Sequence, residues 1–256
     1  MILETLENKT MRILALIPAR MGSSRFPGKP MAKLQGKPMI GHVYERVRQS
    51  QLLDCVAVAT CDQEIADYIE SIGGVAVMTS DKHERASDRC AEALLKLEAL
   101  NNSRYDIVVM VQGDEPMTHP DMINEAVQPL LKNNEIQVVN LLGKIKDETE
   151  FEDRNCIKVV CDLESNALYF SREPIPTRCK VHNIPMGKQV CIIPFRRDFL
   201  IEYNNMPPTP LEIAESVDMM RILENGLKVY MAPTVHDTQA VDTPEDLLKV
   251  EKLTSD

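Results

Sequence analysis

No stretch of this 256-residue chain is apolar for long enough to cross a bilayer, and there is no low-complexity tract or internal repeat. A membrane span, a disordered chain and a repeat architecture are therefore not indicated. Neither is a duplex-binding surface. A formal charge of −10 is the wrong sign for a protein that must coat a phosphate backbone with Lys and Arg. The seven cysteines are an odd number with no C-x-x-C pair, which argues against a disulfide framework and a zinc ribbon and for reduced thiols. Met1 to Met11 is polar and acidic with no apolar leader segment, so residues 1–11 are expected to be a flexible extension and the compartment the cytosol.

What remains is enough for one large domain, because 44% of the residues are hydrophobic and can fill a substantial core. Apolar runs alternate with helical periodicities. Strands are expected at Arg12 to Pro18, Cys55 to Thr60, Val75 to Thr79 and Asp106 to Val111, with helices at Pro38 to Gln49, from Gln63 to Gly73-Gly74, at Ala86 to Leu100 and at Pro120 to Leu131. Strands without polar alternation belong to a parallel sheet covered on both faces, so this half reads as a doubly wound α/β unit whose ligands sit at the carboxyl ends of the strands. After Gln137 to Leu142 the rhythm changes. Ile157 to Cys161 and Ala167 to Phe170 read as hairpin strands, Pro174 to Lys188 as a loop rich in Pro, Arg and Lys, and Pro210 to Asn225 as one helix. A strand at Lys228 to Met231 and a helix from Pro244 close a single domain over 12–256, with 157–195 as a small antiparallel excursion suited to sugar binding or dimer contact.

The stretch LIPARMGSSRFPGKP leaves the first strand and places Arg20, Arg25 and Lys29 among Gly22, Gly28, Pro27 and Pro30. Backbone amides at the end of an α/β strand already favour an anion, glycines allow close approach, and three cations favour a nucleoside triphosphate. The loop is neither of two familiar phosphate cradles. Gly22 and Gly28 enclose five residues where a P-loop has four, and no G-x-G is present for a dinucleotide fingerprint. A merely solvated basic loop is the competing reading.

Two acidic stretches carry the next clue. VQGDEP sets Gln112, Asp114 and Glu115 directly after the most apolar strand, where Asp114 suits Mg²⁺ on a triphosphate or, more plainly, a turn beside Gly113. In AVDTPEDL, Asp242 or Thr243 before Pro244 is an ordinary helix cap. No G-x-S-x-G elbow and no H-x-x-x-H pair is present, so hydrolase chemistry and a histidine metal centre are not expected.

The segments IPARMGSSRFPGKPM, GKPMI, VQGDEPM and VDTPEDL, in that order, closely resemble the sugar-activating cytidylyltransferases, above all the 3-deoxy-manno-octulosonate (Kdo) group. The resemblance runs from about Ile13 to Leu253. It implies a nucleotidyltransferase-type α/β fold with a doubly wound, mostly parallel sheet, and an enzyme that joins CTP to a 3-deoxy-ulosonic acid with release of pyrophosphate for lipopolysaccharide synthesis, as a homodimer without nucleic acid. It further implies that Asp114 and Asp242 hold Mg²⁺ and act with Arg20 and Lys29 in catalysis. Pro18, Ala19, Arg20, Ser24, Arg25, Lys29 and Gln112 are then expected at the nucleotide, and Arg89, Gln112, Gln189, Glu212 and Glu215 at the sugar.

Two departures bear on the sugar. SDRCAE only partly matches the Ser-Gly-Thr-Glu-Arg segment of the resembled enzymes, which carries Arg89 over and Ser87 less closely. In KQVCIIPFRRDF, Gln189 and Phe195 stand where those enzymes have His and Tyr, so a pocket with different hydrogen-bonding groups is expected. Kdo, a variant such as 8-amino-Kdo, a sialate-type or other sugar, and a nucleotide-binding regulator without turnover all stay open at this point.

Overall fold

The computed structural model describes residues 11–23, 25–181 and 184–254. The expected 1–11 extension therefore lies, but for Met11, outside the described residues, as does Ser24. The chain opens with β1 (Ile13–Ala19), a short 3₁₀ turn (Lys29–Met31), and a miniature hairpin of β2 (Lys33–Leu34) and β3 (Lys37–Pro38). Its turn is Gln35-Gly36, both at positive φ (50° and 81°), the two-residue geometry that matches strand twist. Then follow α1 (Met39–Val47), β4 (Cys55–Thr60), α2 (Gln63–Ser71), β5 (Ala76–Met78), α3 (Ala86–Asn101), β6 (Ile107–Val111) and α4 (Pro120–Lys132).

These strands form a sheet in the order β6-β1-β4-β5, all parallel, with Leu14 opposite Cys55 on one side and Val108 on the other. Side chains of β1 alternate between two cores. Leu14 and Leu16 pack with Leu94 and Leu97 of α3, whereas Ile13, Ala15 and Ile17 pack with Val43, Ile65 and Ile123 of α1, α2 and α4. Helices on both faces explain why these strands read as unbroken apolar runs. Because the chain proceeds from β1 to β4 on one side and returns to β6 on the other, the carboxyl ends of β1 and β6 flank the topological switch point, where such sheets open a crevice.

The second half contains β7 (Val139–Lys144), α5 (Glu148–Glu152), β8 (Lys158–Cys161), β9 (Ala167–Ser171), β10 (Gly187–Val190), β11 (Ile192–Arg196), α6 (Arg197–Asn205), α7 (Pro210–Glu215), α8 (Met219–Glu224), β12 (Tyr230–Pro233) and α9 (Pro244–Leu253). The antiparallel excursion belongs to a larger unit, a five-stranded sheet in the order β12-β7-β10-β8-β9. Only β12 is parallel to its neighbour there. The end of the expected Pro174 to Lys188 loop is strand from Gly187, and this stretch with the residues after it, which carried no strand or helix expectation, joins both sheets. β10 enters the second, and β11 returns antiparallel to β6 at the edge of the first, where Pro194 is tolerated.

One expected element is corrected. The single helix from Pro210 to Asn225 is two short helices, because Ser216 adopts a left-handed conformation (φ 53°) and ends α7. Arg172 holds the break: its Nε donates to the Glu215 carbonyl at 2.6 Å and its Nη2 to the Ser216 carbonyl at 3.3 Å. A long-range contact thus overrides a local periodicity.

Candidate active site

Two adjoining cavities lie at the crevice, one of about 270 Å³ and one of about 570 Å³. They share Arg25, Gln112, Asp114 and Asp242, so they are two lobes of one site meeting at those side chains.

The smaller lobe is lined by Pro18, Ala19 and Arg20 from the end of β1, by Gly22, Ser23, Arg25, Lys29 and Pro30 from the loop, and by Gln112, Gly113 and Asp114 after β6. Its backbone is held from several directions. The Met21 amide donates to Asp62 Oδ2 at 2.8 Å, and the Gly28 amide donates to the Met21 carbonyl at 3.0 Å, closing the loop on itself. Gly28 turns at φ 73°, a conformation that glycine adopts without strain. Gly113 is required for another reason: a Cβ there would stand 2.9 Å from the Pro18 carbonyl oxygen, so only glycine lets the β6 loop close over β1.

Asp114 and Asp242 come from segments far apart in sequence and converge on one cation. Lys29 Nζ lies 2.7 Å from Asp114 Oδ2 and 3.5 Å from Asp242 Oδ1. Arg25 Nη2 lies 2.9 Å from Asp242 Oδ1, and its Nη1 donates to Asn155 Oδ1 at 2.7 Å. The two acid-bearing segments are also tied through the backbone, since the Val241 amide donates to the Asp114 carbonyl at 2.9 Å. Arg20 stands exposed at the rim, its Nη1 3.5 Å from the His83 carbonyl. The helix-cap role at the start of α9 falls to Thr243, whose side chain accepts from the Asp246 amide, leaving the Asp242 carboxylate to the site.

The larger lobe lies between the start of α3, the end of β6, the stretch through β10 and β11, and α7. Gln189, Cys191 and Ile193 reach it from alternate positions along β10 and β11, as strand pleating requires. Gln189 Nε2 donates to the Oδ1 of buried Asn140 at 2.7 Å, which fixes its amide. Lys188, mostly buried, is paired with Glu150, and Arg172 lines the wall beside it. Glu115 is only 4% exposed and its Oε2 has no hydrogen-bond partner; burial first, then the neighbouring Asp114, pushes its carboxyl up to about 8.

Several expected sugar contacts sit elsewhere. Arg89 is 2% exposed and does not line the lobe; its Nη1 donates to Thr79 Oγ1 at 2.5 Å beneath the surface. Arg85, one turn earlier on the chain, lines it instead and touches Glu212 and Asp218. Glu212 reaches the wall, but its carboxylate is engaged inside the protein, accepting from Arg221 Nε at 2.9 Å and Arg221 Nη2 at 2.8 Å. Its backbone partner, the Thr209 amide, adds a helix-capping bond at 3.1 Å. Glu215 is turned away from the lobe: it accepts from Tyr169 Oη at 3.1 Å, Ser171 Oγ at 3.3 Å and the Arg172 amide at 2.8 Å. Phe195 does not face the lobe either, being buried against Tyr203 with ring centroids 5.9 Å apart. Ile193, two residues earlier on the same strand, does face it.

Sequence spacing alone did not reveal Arg85, Asn155, Arg172 or Lys188 as lining residues. The cation-rich Pro174 to Lys188 run was the available signal for Lys188. The others depend on pairings between distant segments.

A cytidylyltransferase family model matches residues 14–229, most of the chain. The chain belongs to the cytidylyltransferase family. It is 44% identical over 255 residues to a 3-deoxy-manno-octulosonate cytidylyltransferase of Geobacter sulfurreducens, covering 95% of this chain and all of that one. The counterpart from Thermodesulfovibrio yellowstonii is 43% identical over 247 residues, covering 93% of this chain and 96% of the relative. Among solved structures, a CMP:2-keto-3-deoxy-manno-octonic acid synthetase complexed with CTP superposes with a TM-score of 0.86 at 36% identity, over 95% of this chain and 98% of that one. A 4-diphosphocytidyl-2C-methyl-D-erythritol synthase from Anaerococcus prevotii shares the fold at 16% identity and a TM-score of 0.66, covering 96% and 97% of the two chains. This cytidylyltransferase is thus an enzyme with a mostly parallel α/β nucleotidyltransferase fold. Among its described residues no helix is long and apolar enough to cross a membrane.

Proposed function

We infer that this cytidylyltransferase joins CTP to Kdo, giving CMP-Kdo and pyrophosphate. The observation that carries the reading is the convergence of Asp114 and Asp242 on a single cation at the meeting point of the two lobes. The larger lobe is the place for the sugar acid, and the smaller for the nucleotide.

The pair of carboxylates fits Mg²⁺, since both already turn toward the position of one positive charge and a hard divalent ion takes oxygen ligands. Asp114 and Asp242 would hold the ion, which would supply neutralisation of triphosphate charge. The protein's own residues do the rest. Pro18, Ala19 and Arg20 offer backbone to the base. Arg20, Arg25 and Lys29 surround the phosphates, and the cations that leave Asp114 and Asp242 when nucleotide enters are then free to pair with phosphoryl oxygens. The anomeric hydroxyl of the sugar attacks the α-phosphorus as the bond to pyrophosphate breaks. Positioning and charge compensation are the main sources of acceleration for such a transfer, and no covalent enzyme intermediate is needed.

In the sugar lobe, Arg85, Arg172 and Lys188 are the cations available to a carboxylate, and Gln112 and Gln189 the amides available to hydroxyls. The reaction is placed in the cytosol, its product serving as the activated donor for lipopolysaccharide synthesis, and the active form is a homodimer. Pyrophosphate release measured with each of the four ribonucleoside triphosphates, against Kdo and its 8-amino analogue, tests this. Turnover with CTP and Kdo is expected; turnover only with the amino analogue reassigns the sugar, and none with either sugar overturns the substrate reading.

A further inference from the structure

The spacing of the histidines gave no reason to expect a histidine metal site, but the fold brings two of them together beside a carboxylate. His119 caps α4 and follows the Asp114 loop; His236 comes from the segment between β12 and Asp242. Their imidazoles stack with centroids 4.3 Å apart and planes within 12°. Asp121 faces both: its Oδ2 lies 3.5 Å from His119 Nδ1 and 3.9 Å from His236 Nε2. One donor atom from each of the three lies within 4.8 Å of the others.

We propose that His119, Asp121 and His236 form a second metal site, for a borderline divalent ion of the Zn²⁺ class, which clips together the two segments that carry Asp114 and Asp242. A tetrahedral ion with ligands at about 2.0–2.2 Å spaces its donor atoms by about 3.3–3.5 Å, so the two histidine–aspartate separations close by a few tenths of an ångström, while the stacked imidazoles must turn out of their parallel arrangement to bring both ring lone pairs onto one point. Two imidazoles and one carboxylate select Zn²⁺, Co²⁺ or Ni²⁺ over Mg²⁺, which prefers oxygen alone. The fourth position is open to water. The competing interaction is weak. His119 Nδ1 now accepts from the Asp121 amide at 3.2 Å, a long capping bond that the ion would replace.

The placement gives the site a consequence. Residues after His236 include Thr238, whose carbonyl lies 3.5 Å from Lys188 Nζ, and Val241, whose amide is bonded to the Asp114 carbonyl. An ion bridging His119 and His236 spans the same two segments from the outer side. It therefore stabilises the loop pair that sets the separation of the two aspartates without touching the nucleotide lobe, of which neither histidine is a lining residue.

The test uses the full-length protein, stripped of metal with chelator and held near pH 7.5 with millimolar Mg²⁺ so that the Asp114–Asp242 pair is already supplied with its own ion. Zn²⁺ binding is titrated calorimetrically, with thermal melting followed in parallel, in the parent protein, in His236→Ala and in His119→Asn, which keeps a capping acceptor but loses the imidazole. One equivalent bound in the parent with a raised melting temperature, weakened at least about tenfold in both variants, is the expected result. Absence of binding in the parent overturns the proposal, and so does binding of unchanged affinity in either variant, which would assign the ion to cysteines or to the aspartates.

Discussion

The two lobes of the site are built in opposite ways. The smaller lobe, proposed for the nucleotide, takes most of its wall from one continuous run, Pro18 to Pro30, and its cations Lys29 and Arg25 pair with the aspartates they would exchange for phosphate, Arg25 also bonding Asn155. The larger lobe, proposed for the sugar acid, is assembled from at least five separated segments, and its charges are largely bonded within the protein: Arg85 and Arg221 to Glu212, Lys188 to Glu150, Arg172 to the carbonyls of Glu215 and Ser216. The first lobe is arranged to receive charge, and the second to hold a shape. Substitutions in the first should therefore cost turnover at little cost in stability, and many substitutions in the second should do the reverse.

The largest effect is expected from Asp114→Asn or Asp242→Asn, each lowering kcat for pyrophosphate release by about a thousandfold, as loss of a group that acts on transition-state charge does. Melting temperature should stay within a few degrees of the parent, because the ion pairs with Lys29 are partly solvated and such pairs contribute about 0–1 kcal/mol. A large loss of stability with retained turnover would invert the contrast between the lobes.

Next comes Glu212→Gln. It leaves Arg221, 3% exposed, without its charged partner, and breaking a buried pair costs about 3–5 kcal/mol. A fall in melting temperature of at least about 6 °C is expected by calorimetry. An unchanged melting temperature, with a raised KM for the sugar acid, would return Glu212 to the role of a sugar ligand.

How far the sequence could be read follows the same division. The parallel sheet was legible because its strands are unbroken apolar runs and its helices have clear 3.6-residue stripes, such as Ile40, Val43, Tyr44 and Val47 on α1. The cation loop was legible because Arg20, Arg25 and Lys29 are close neighbours in sequence. Asp242 looked like a helix cap, and only its resemblance to a known family gave it another role; in the fold Thr243 caps α9 and Asp242 points to Lys29. The sugar lobe resisted because burial and partner choice are set between segments. Arg89 and Arg85 lie on the same stretch, and nothing in their spacing says that Arg89 goes under Thr79 while Arg85 reaches the cavity. The break at Ser216 is equally invisible, since it depends on Arg172 from another strand end.

A sharper division between the lobes comes from Arg85→Ala, which should raise KM for the sugar acid about tenfold while KM for CTP stays unchanged, because a charge-assisted hydrogen bond is worth about 1.5–3 kcal/mol and part is offset by water. Equal changes in both constants would show that the lobes are not separable.

The smallest effect concerns Glu92 of α3, which ties the helix to Ser80 and His83 in the loop before it. Burial acts to raise the Glu92 carboxyl, but hydrogen bonds from Lys96, the Ser80 amide and His83 outweigh it and bring it down to about 2. A carboxylate held low in the folded state stabilises it fully above the unfolded value near 4.5, and that contribution fades as pH falls through about 2. Glu92→Gln should therefore lower the melting temperature slightly at pH 7, with the difference from the parent disappearing as pH is taken from about 5 toward 2. A difference that widens on acidification would contradict the assignment.

The central claim is that Asp114 and Asp242 share one divalent ion with the triphosphate of CTP. Crystals grown with CTP and Mn²⁺ in place of Mg²⁺, examined by anomalous diffraction, test it directly. The account predicts an anomalous peak between the two carboxylates, within bonding distance of both and of phosphate oxygens, with Lys29 moved onto the triphosphate. A peak elsewhere, or a nucleotide bound in the small lobe with Lys29 still seated between the aspartates, would contradict it.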